Sequence, residues 1–112
     1  MRTLEPLLSP RSVAVIGASR RRDSIGGAIL HNIIEQGFQG PVYPVNPKAT
    51  HVQSIPAYPS VAAVPGPVDL GIIVIPAGHV LEAAAACGEK GVKALVVISA
   101  GFKETGEEGR KR

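Results

Sequence analysis

An apolar run that ends at a glycine, followed by a basic loop and a second pair of glycines, constrains this chain most. Residues 12–16 read Ser-Val-Ala-Val-Ile, and these small and β-branched side chains predict a buried strand that stops at Gly17. A loop with three arginines follows, and Gly26 and Gly27 lie where helical periodicity begins. This order brings backbone N–H groups and the positive end of a helix dipole together above the strand. The pattern therefore predicts an anion site.

Strand and helix patterns alternate along the rest of the chain. Hydrophobic residues make up 45% of the 112 residues and Trp is absent, so the core must be aliphatic, which is typical of a parallel sheet covered on both sides. We expect one domain over residues 1–112, with an α/β fold: a Rossmann-type doubly wound parallel sheet of about five strands with helices on both faces. The predicted strands cover residues 13–17, 41–45, 69–75 and 94–99, with a short one near Ile55, and the predicted helices cover residues 25–36 and 79–90.

Charge and composition exclude several classes of function. The net charge of +3 comes from two local basic clusters, at residues 20–22 and 110–112. Neither has interleaved aromatic residues, so we expect no nucleic-acid partner. No apolar run approaches eighteen residues, so we expect no membrane partner. Cys87 is the only cysteine, which favours a reducing compartment and a cytoplasmic location. The histidines lack metal-ligand spacing, so no metal site is predicted.

A capping pattern near the carboxyl end bears on the length of the parent protein. Thr105 is followed three residues later by Glu108, which is the signature of a helix start. The sequence given ends only one or two turns later. We therefore expect the chain to be part of a longer one.

The ends of the first two strands indicate which anion is bound. A dinucleotide fingerprint needs G-x-G-x-x-G, whereas eight residues separate Gly17 from Gly26. The second strand is followed by Asn46, Pro47 and Lys48 rather than by an acid for the ribose hydroxyls. A lysine there would attract a phosphate on the ribose, as in coenzyme A or NADP, and charge alone does not separate these two ligands. The apolar tip at residues 74–76 favours the pantetheine arm of coenzyme A.

Five motifs in order carry a resemblance to a known family. The chain resembles, from about Leu7 onward, the N-terminal CoA-binding domain of NDP-forming acyl-CoA synthetases. These include ADP-forming acetate–CoA ligases and, more distantly, succinyl-CoA ligase alpha subunits, and a similar domain begins some bacterial protein lysine acetyltransferases. The motifs are VAVIGAS at 13–19, YPVNPK at 43–48, AYPSV at 57–61, PVDLGIIVIPA at 67–77 and VVISAGFKETGEEG at 96–109.

The resemblance implies a set of CoA-binding residues by position. One set forms the phosphate loop and the helix start after it, a second holds the adenosine end with its 3′-phosphate near Lys48, a third contacts pantetheine, and a fourth lies nearest the thiol. We also expect one loop arginine to contact the ligand and name Arg22, although the sequence does not distinguish it from Arg20 and Arg21. In the order of the sets, the residues are Gly17, Ala18, Ser19, Ser24, Ile25 and Gly26; Asn46, Pro47 and Lys48; Ile75 and Pro76; and Ser99, Ala100 and Gly101.

The resemblance also implies what this domain does within a larger enzyme. It would hold CoA and direct the thiol toward a flavodoxin-like domain that carries a phosphohistidine, while an ATP-grasp portion binds ATP or ADP with Mg²⁺. No histidine here matches the phosphohistidine motif, so no catalytic residue is assigned and no activity is expected from this chain alone. Two alternatives stay open: a regulatory or stand-alone CoA-binding module such as that of a protein lysine acetyltransferase, and an NADP-binding oxidoreductase domain.

Overall fold

Strands and helices alternate along the described part of the chain, as the sequence predicts. The computed structural model describes residues 10–18 and 24–98. The helices are α1 (Ile25–Glu35) and α2 (Val80–Lys90), and two 3₁₀ turns cover Val61–Ala63 and Ala77–His79. The strands are β1 (Val13–Ile16), β2 (Val42–Val45), β3 (His51–Val52), β4 (Ile55–Pro56), β5 (Leu70–Ile73) and β6 (Ala94–Val97).

One parallel sheet combines four of these strands in the order β2-β1-β5-β6. Its register aligns the last residues of the strands, because Ile16 lies opposite both Val45 and Ile73, and Ile73 lies opposite Val97. The strand order reverses around β1, which lies in the interior of the sheet. All four strands therefore end in one row at the edge where ligands of doubly wound folds bind.

A single residue stands where a fifth strand of this sheet was expected. The predicted strand near Ile55 is β4, which pairs with β3 in a separate antiparallel hairpin. Tyr58 instead makes a one-residue parallel bridge to Val45, and its carbonyl accepts from the N–H of Asn46 at 2.8 Å. Pro59 has no N–H with which to continue the ladder. The Rossmann-type class is confirmed, with four strands and this bridge in the described sheet.

The helices cover opposite faces of the sheet, which confirms the doubly wound arrangement. Val13 and Val15 of β1 pack in one apolar cluster with Leu30 of α1. Ala14 packs in a second cluster, with Cys87 of α2. The two clusters alternate along the strand because successive side chains point to opposite faces of a sheet.

Glycines end both helices at the predicted positions. Gly37 follows α1 with a φ of +76°, and Gly91 follows α2 with a φ of +90°. These left-handed conformations favour glycine because it has no Cβ. At eleven residues each, neither described helix is long enough to cross a membrane.

Candidate functional site

The first strand end is built from close backbone contacts. Gly17 has a φ of +100°, and a Cβ at this position would lie 2.0 Å from the carbonyl oxygen of Val74. Its N–H donates to the carbonyl of Val45 at 3.1 Å. Only glycine satisfies both the conformation and the space, so the turn after β1 fixes this residue.

The first turn of α1 lies directly against that strand end. A Cβ on Gly26 would lie 2.2 Å from the carbonyl oxygen of Gly17. Ser24 caps the helix, with its Oγ accepting from the N–H of Gly27 at 3.0 Å. The first turn carries no acidic residue, and Ile25 is 40% exposed. The positive end of the helix dipole is therefore free of neighbouring carboxylates on its own first turn.

The second strand end is organised by Asn46. Its Nδ2 donates to the carbonyl of Ala18 at 2.9 Å, and its Oδ1 accepts from the backbone N–H of Lys48 at 2.8 Å. The second contact is an Asx turn, which a side-chain oxygen makes with the backbone two residues on. Pro47 and Lys48 are exposed. The lysine therefore extends into solvent from a turn that is fixed by hydrogen bonds.

The third strand end leads into α2. Ile75 is half-buried and Pro76 is exposed, and a 3₁₀ turn then connects them to the helix. His79 occupies the N-cap position without a side-chain capping bond. Glu82 lies in the first turn of α2, where the helix dipole interacts favourably with a carboxylate.

A cleft of about 510 Å³ joins the ends of β1, β2 and β5 on the α2 side of the sheet. Gly17, Pro47 and Ile75 each come from a different strand end and share its lining. The rest is mostly apolar, and the polar residues in it are Ser60, His79 and Glu82. The ends of β1, β2 and β5 thus converge on one cleft, while residues 99–101 after β6 lie outside the described residues.

Charge is distributed unevenly around this cleft. The described lining contains no Lys or Arg, while the exposed Lys48 directly follows Pro47 of the lining in the sequence. Such a cleft can bind the uncharged, flat or extended groups of a ligand, whose charged groups would then lie outside the apolar lining. Among the residues that the structure describes, no group of three or more His, Cys, Asp and Glu could hold a metal ion.

The candidate residues predicted from the sequence divide into two groups. Those that the structure describes are distributed over the three strand ends and the start of α1. The others lie outside the described residues: Ser19, Arg22, Ser99, Ala100 and Gly101.

Sequence reasoning assigned none of the cleft's three polar residues, Ser60, His79 and Glu82, to the site. Ser60 reaches the lining because the bridge at Tyr58 carries the chain along the outer edge of β2. A Rossmann sheet has its third strand at this place, so the expected strand order contained a usable signal. Glu82 reaches the lining from the first turn of α2, and its sequence signal was only an acid near a predicted helix start.

Comparison with known proteins gives a consistent result. Residues 11–108 match the model of a family described as a CoA binding domain. The acetate–CoA ligase (ADP-forming) I subunit alpha of Pyrococcus furiosus is 47% identical over 113 residues, which cover 97% of this chain and 24% of that subunit. The 4-hydroxybutyrate–CoA ligase (ADP-forming) of Nitrosopumilus maritimus is 48% identical, with 98% of this chain and 16% of that ligase covered.

A solved structure agrees with these relatives. The dinucleotide-forming acetyl-coenzyme A synthetase 1 of Ca. Korarchaeum cryptofilum, in complex with phosphate and ADP, superposes with a TM-score of 0.86 at 45% identity. The match covers 97% of this chain and 24% of that one. The chain thus spans a quarter or less of the length of these relatives. Because similarity runs through the strand ends described above, the chain belongs to the family of CoA binding domains found in ADP-forming acid–CoA ligases.

Proposed function

We propose that this domain holds CoA across the carboxyl edge of its parallel sheet and directs the thiol toward a neighbouring domain of an acid–CoA ligase. One observation carries the proposal: three strand ends from distant parts of the sequence meet at one mostly apolar cleft, and the exposed Lys48 directly follows Pro47 of its lining. CoA has matching chemistry, since it combines a phosphorylated nucleotide with a long uncharged arm.

Each part of CoA has a candidate position in this arrangement. The pyrophosphate oxygens would accept hydrogen bonds from backbone N–H groups at the start of α1, beside Gly26. The 3′-phosphate would lie near Lys48, and the uncharged adenosine and pantetheine groups would lie along Pro47, Ile75 and Pro76. The assignments of Ser19 and Arg22 to phosphate, and of residues 99–101 to the thiol end, remain predictions from the sequence.

The complete enzyme would convert an acid, CoA and ATP into acyl-CoA, ADP and phosphate. The names of the relatives, which include acetate–CoA and 4-hydroxybutyrate–CoA ligases, support a small carboxylic acid as the substrate. ATP or ADP with Mg²⁺ would bind to an ATP-grasp part, a flavodoxin-like part would carry the phosphohistidine, and the whole enzyme would work in the cytoplasm. This domain contributes positioning, which converts an encounter between reactants into a reaction within one complex. The kind of domain joined to this one in the complete protein would distinguish a ligase from an acetyltransferase with a similar module.

Calorimetric titration tests the proposal directly. We expect the 112-residue chain to bind CoA with one site and to release little of it when NADPH is added. Displacement of CoA by an equal concentration of NADPH would support an NADP-binding oxidoreductase domain instead. Absence of heat with CoA, from a chain whose circular dichroism shows it folded, would reject the proposed function.

Lys48→Ala tests the position of the 3′-phosphate. A hydrogen bond to a charged group contributes about 1.5–3 kcal/mol, or roughly 10- to 100-fold in affinity, and solvent screening favours the lower end for an exposed lysine. We expect this loss for CoA and almost none for dephospho-CoA, which lacks the 3′-phosphate. Lys93→Ala is the matched control, because Lys93 is 62% exposed at the opposite edge of the sheet. Equal losses for both ligands would remove this assignment of Lys48.

A further inference from the structure

Asn46 joins three segments that are distant in the sequence. Through its side chain it contacts the carbonyl of Ala18 after β1 and the N–H of Lys48 after β2, at 2.9 and 2.8 Å. Through its backbone N–H it contacts the carbonyl of Tyr58, which occupies the place of the missing third strand.

These contacts engage both ends of the side-chain amide within the protein. One N–H of Nδ2 and one lone pair of Oδ1 are used, and the residue is half-buried. The bond to Lys48 fixes the direction in which the exposed loop leaves β2. The bond to Ala18 fixes the carbonyl that follows the Gly17 turn. The amide therefore sets the position of the segment after β1 relative to the segment after β2.

We propose that Asn46 is a positioning residue, which acts on CoA through Lys48 and Ala18 rather than through its own contact with the ligand. This inference rests on the proposed function. Fixing Lys48 before the ligand arrives reduces the conformational entropy that is lost when its ammonium meets the 3′-phosphate. Fixing Ala18 keeps the phosphate loop close to the second strand end.

A double-mutant cycle between Asn46→Ala and Lys48→Ala tests this role. We expect Asn46→Ala to weaken CoA about tenfold and dephospho-CoA only about threefold, because part of its effect requires the 3′-phosphate. In the Lys48→Ala background the same substitution should weaken CoA about threefold or less, so the two changes are not additive. A separate contact between Asn46 and the ligand would give additive changes.

Asn46→Ser keeps the test informative if Asn46→Ala folds poorly. The serine hydroxyl can accept from the N–H two residues on, as in an ST turn, but it is too short to replace the bond to Ala18. We expect this variant to recover most of the preference for CoA over dephospho-CoA while its affinity for both ligands stays below that of the unmodified chain. Ser12→Ala is the control for a purely structural effect, because Ser12 hydrogen-bonds at the opposite edge of the sheet. It should lower the melting temperature without changing either affinity.

Two results would overturn the inference alone, given that the unmodified chain binds CoA. One is additive changes in the cycle or equal losses of CoA and dephospho-CoA in Asn46→Ala, and the other is loss of the preference for CoA over dephospho-CoA in Asn46→Ser. Failure of the unmodified, folded chain to bind CoA would overturn the proposed function, and the inference with it. The two failures are therefore distinguishable by the first titration.

Discussion

At the scale of single residues, Gly26 controls how closely α1 approaches the sheet. A Cβ there would lie 2.2 Å from the carbonyl oxygen of Gly17 and 3.1 Å from its carbonyl carbon. Backbone atoms cannot rotate away as a side chain can, so Gly26→Ala must displace the start of the helix. We expect a loss of about 1–3 kcal/mol in the free energy of unfolding, typical of overpacking, together with weaker CoA binding. Urea unfolding and calorimetry measure the two effects.

Gly88→Ala is the matched control for this substitution. Gly88 lies within α2, and a Cβ there would have no atom within 4 Å. Alanine should therefore stabilise the helix by about 0.5–1 kcal/mol, because glycine loses more backbone entropy on folding. The close-contact explanation of Gly26 fails if both substitutions change the free energy of unfolding in the same direction.

Cys87 gives the protein a pH-dependent contribution to stability. Burial raises the pKa of its thiol, and the residue is 0% exposed. As pH rises, the Cys87 thiol ionises in the unfolded chain before it ionises in the folded one. The contribution of the thiol to stability is therefore fully present below its ordinary pKa of about 8.5 and is lost as pH rises above that value. Between pH 7 and pH 10, we expect the free energy of unfolding to fall less in Cys87→Ala than in the unmodified chain. Urea titrations at the two pH values measure it, and an unchanged fall would contradict the assignment.

At the scale of elements, the sequence predicted those parts whose pattern extends over several residues. The apolar runs of β1, β5 and β6 and the spacing of aliphatic residues in α1 gave the correct element types, with ends displaced by one or two residues. The bridge at Tyr58 was not predictable in this way, because a single paired residue has no periodicity. The hydrogen bond from Asn46 to Ala18 was equally hidden, since it joins residues 28 positions apart.

The turn between β3 and β4 is a strained element that the sequence did not reveal. Gln53 and Ser54 have φ values of +52° and +71°, the pattern of a hairpin turn that usually contains Asn and Gly. Gln53 also donates from Nε2 to the carbonyl of Gly27 in α1 at 2.9 Å. A left-handed conformation costs a residue with a Cβ about 1–2 kcal/mol, so the hairpin is maintained by its contacts with the rest of the domain.

Ser54→Gly should relieve this strain. We expect up to about 1 kcal/mol of added stability, because the greater chain entropy of glycine in the unfolded state offsets part of the gain. Thermal unfolding by circular dichroism measures the change. Ser60→Gly is the control, since Ser60 is exposed with an extended φ of −154°, where glycine offers no relief and should destabilise slightly. A loss of stability in both variants would contradict the proposed strain.

At the scale of the whole molecule, the two edges of the sheet have different roles. The carboxyl edge carries the cleft, while the amino edge carries a hydrogen-bonded group centred on Asp69. Its Oδ2 accepts from the backbone N–H of Arg11 at 2.9 Å, and its own N–H donates to Ser12 Oγ at 3.0 Å. Its carbonyl accepts from Ala94 at 2.9 Å, and Oδ1 lies 3.6 Å from Lys93 Nζ. Asp69 therefore connects the beginnings of β1, β5 and β6.

This separation predicts that stability and CoA affinity respond to different substitutions. Asp69→Ala removes a side chain that is only 13% exposed and leaves the Arg11 N–H without its partner, so we expect a loss of about 1–3 kcal/mol in the free energy of unfolding. Lys93→Ala should lose no more than about 1 kcal/mol, because its half of the ion pair is exposed. Asp69→Asn retains an oxygen acceptor for the Arg11 N–H, so its loss in the free energy of unfolding should lie between those of Asp69→Ala and Lys93→Ala. CoA affinity, measured well below each melting temperature, should stay within about twofold for all three variants, since the strand ends remain paired through the backbone ladder. An Asp69→Ala variant that binds CoA as weakly as Gly26→Ala would mean that the two edges are coupled through the strands.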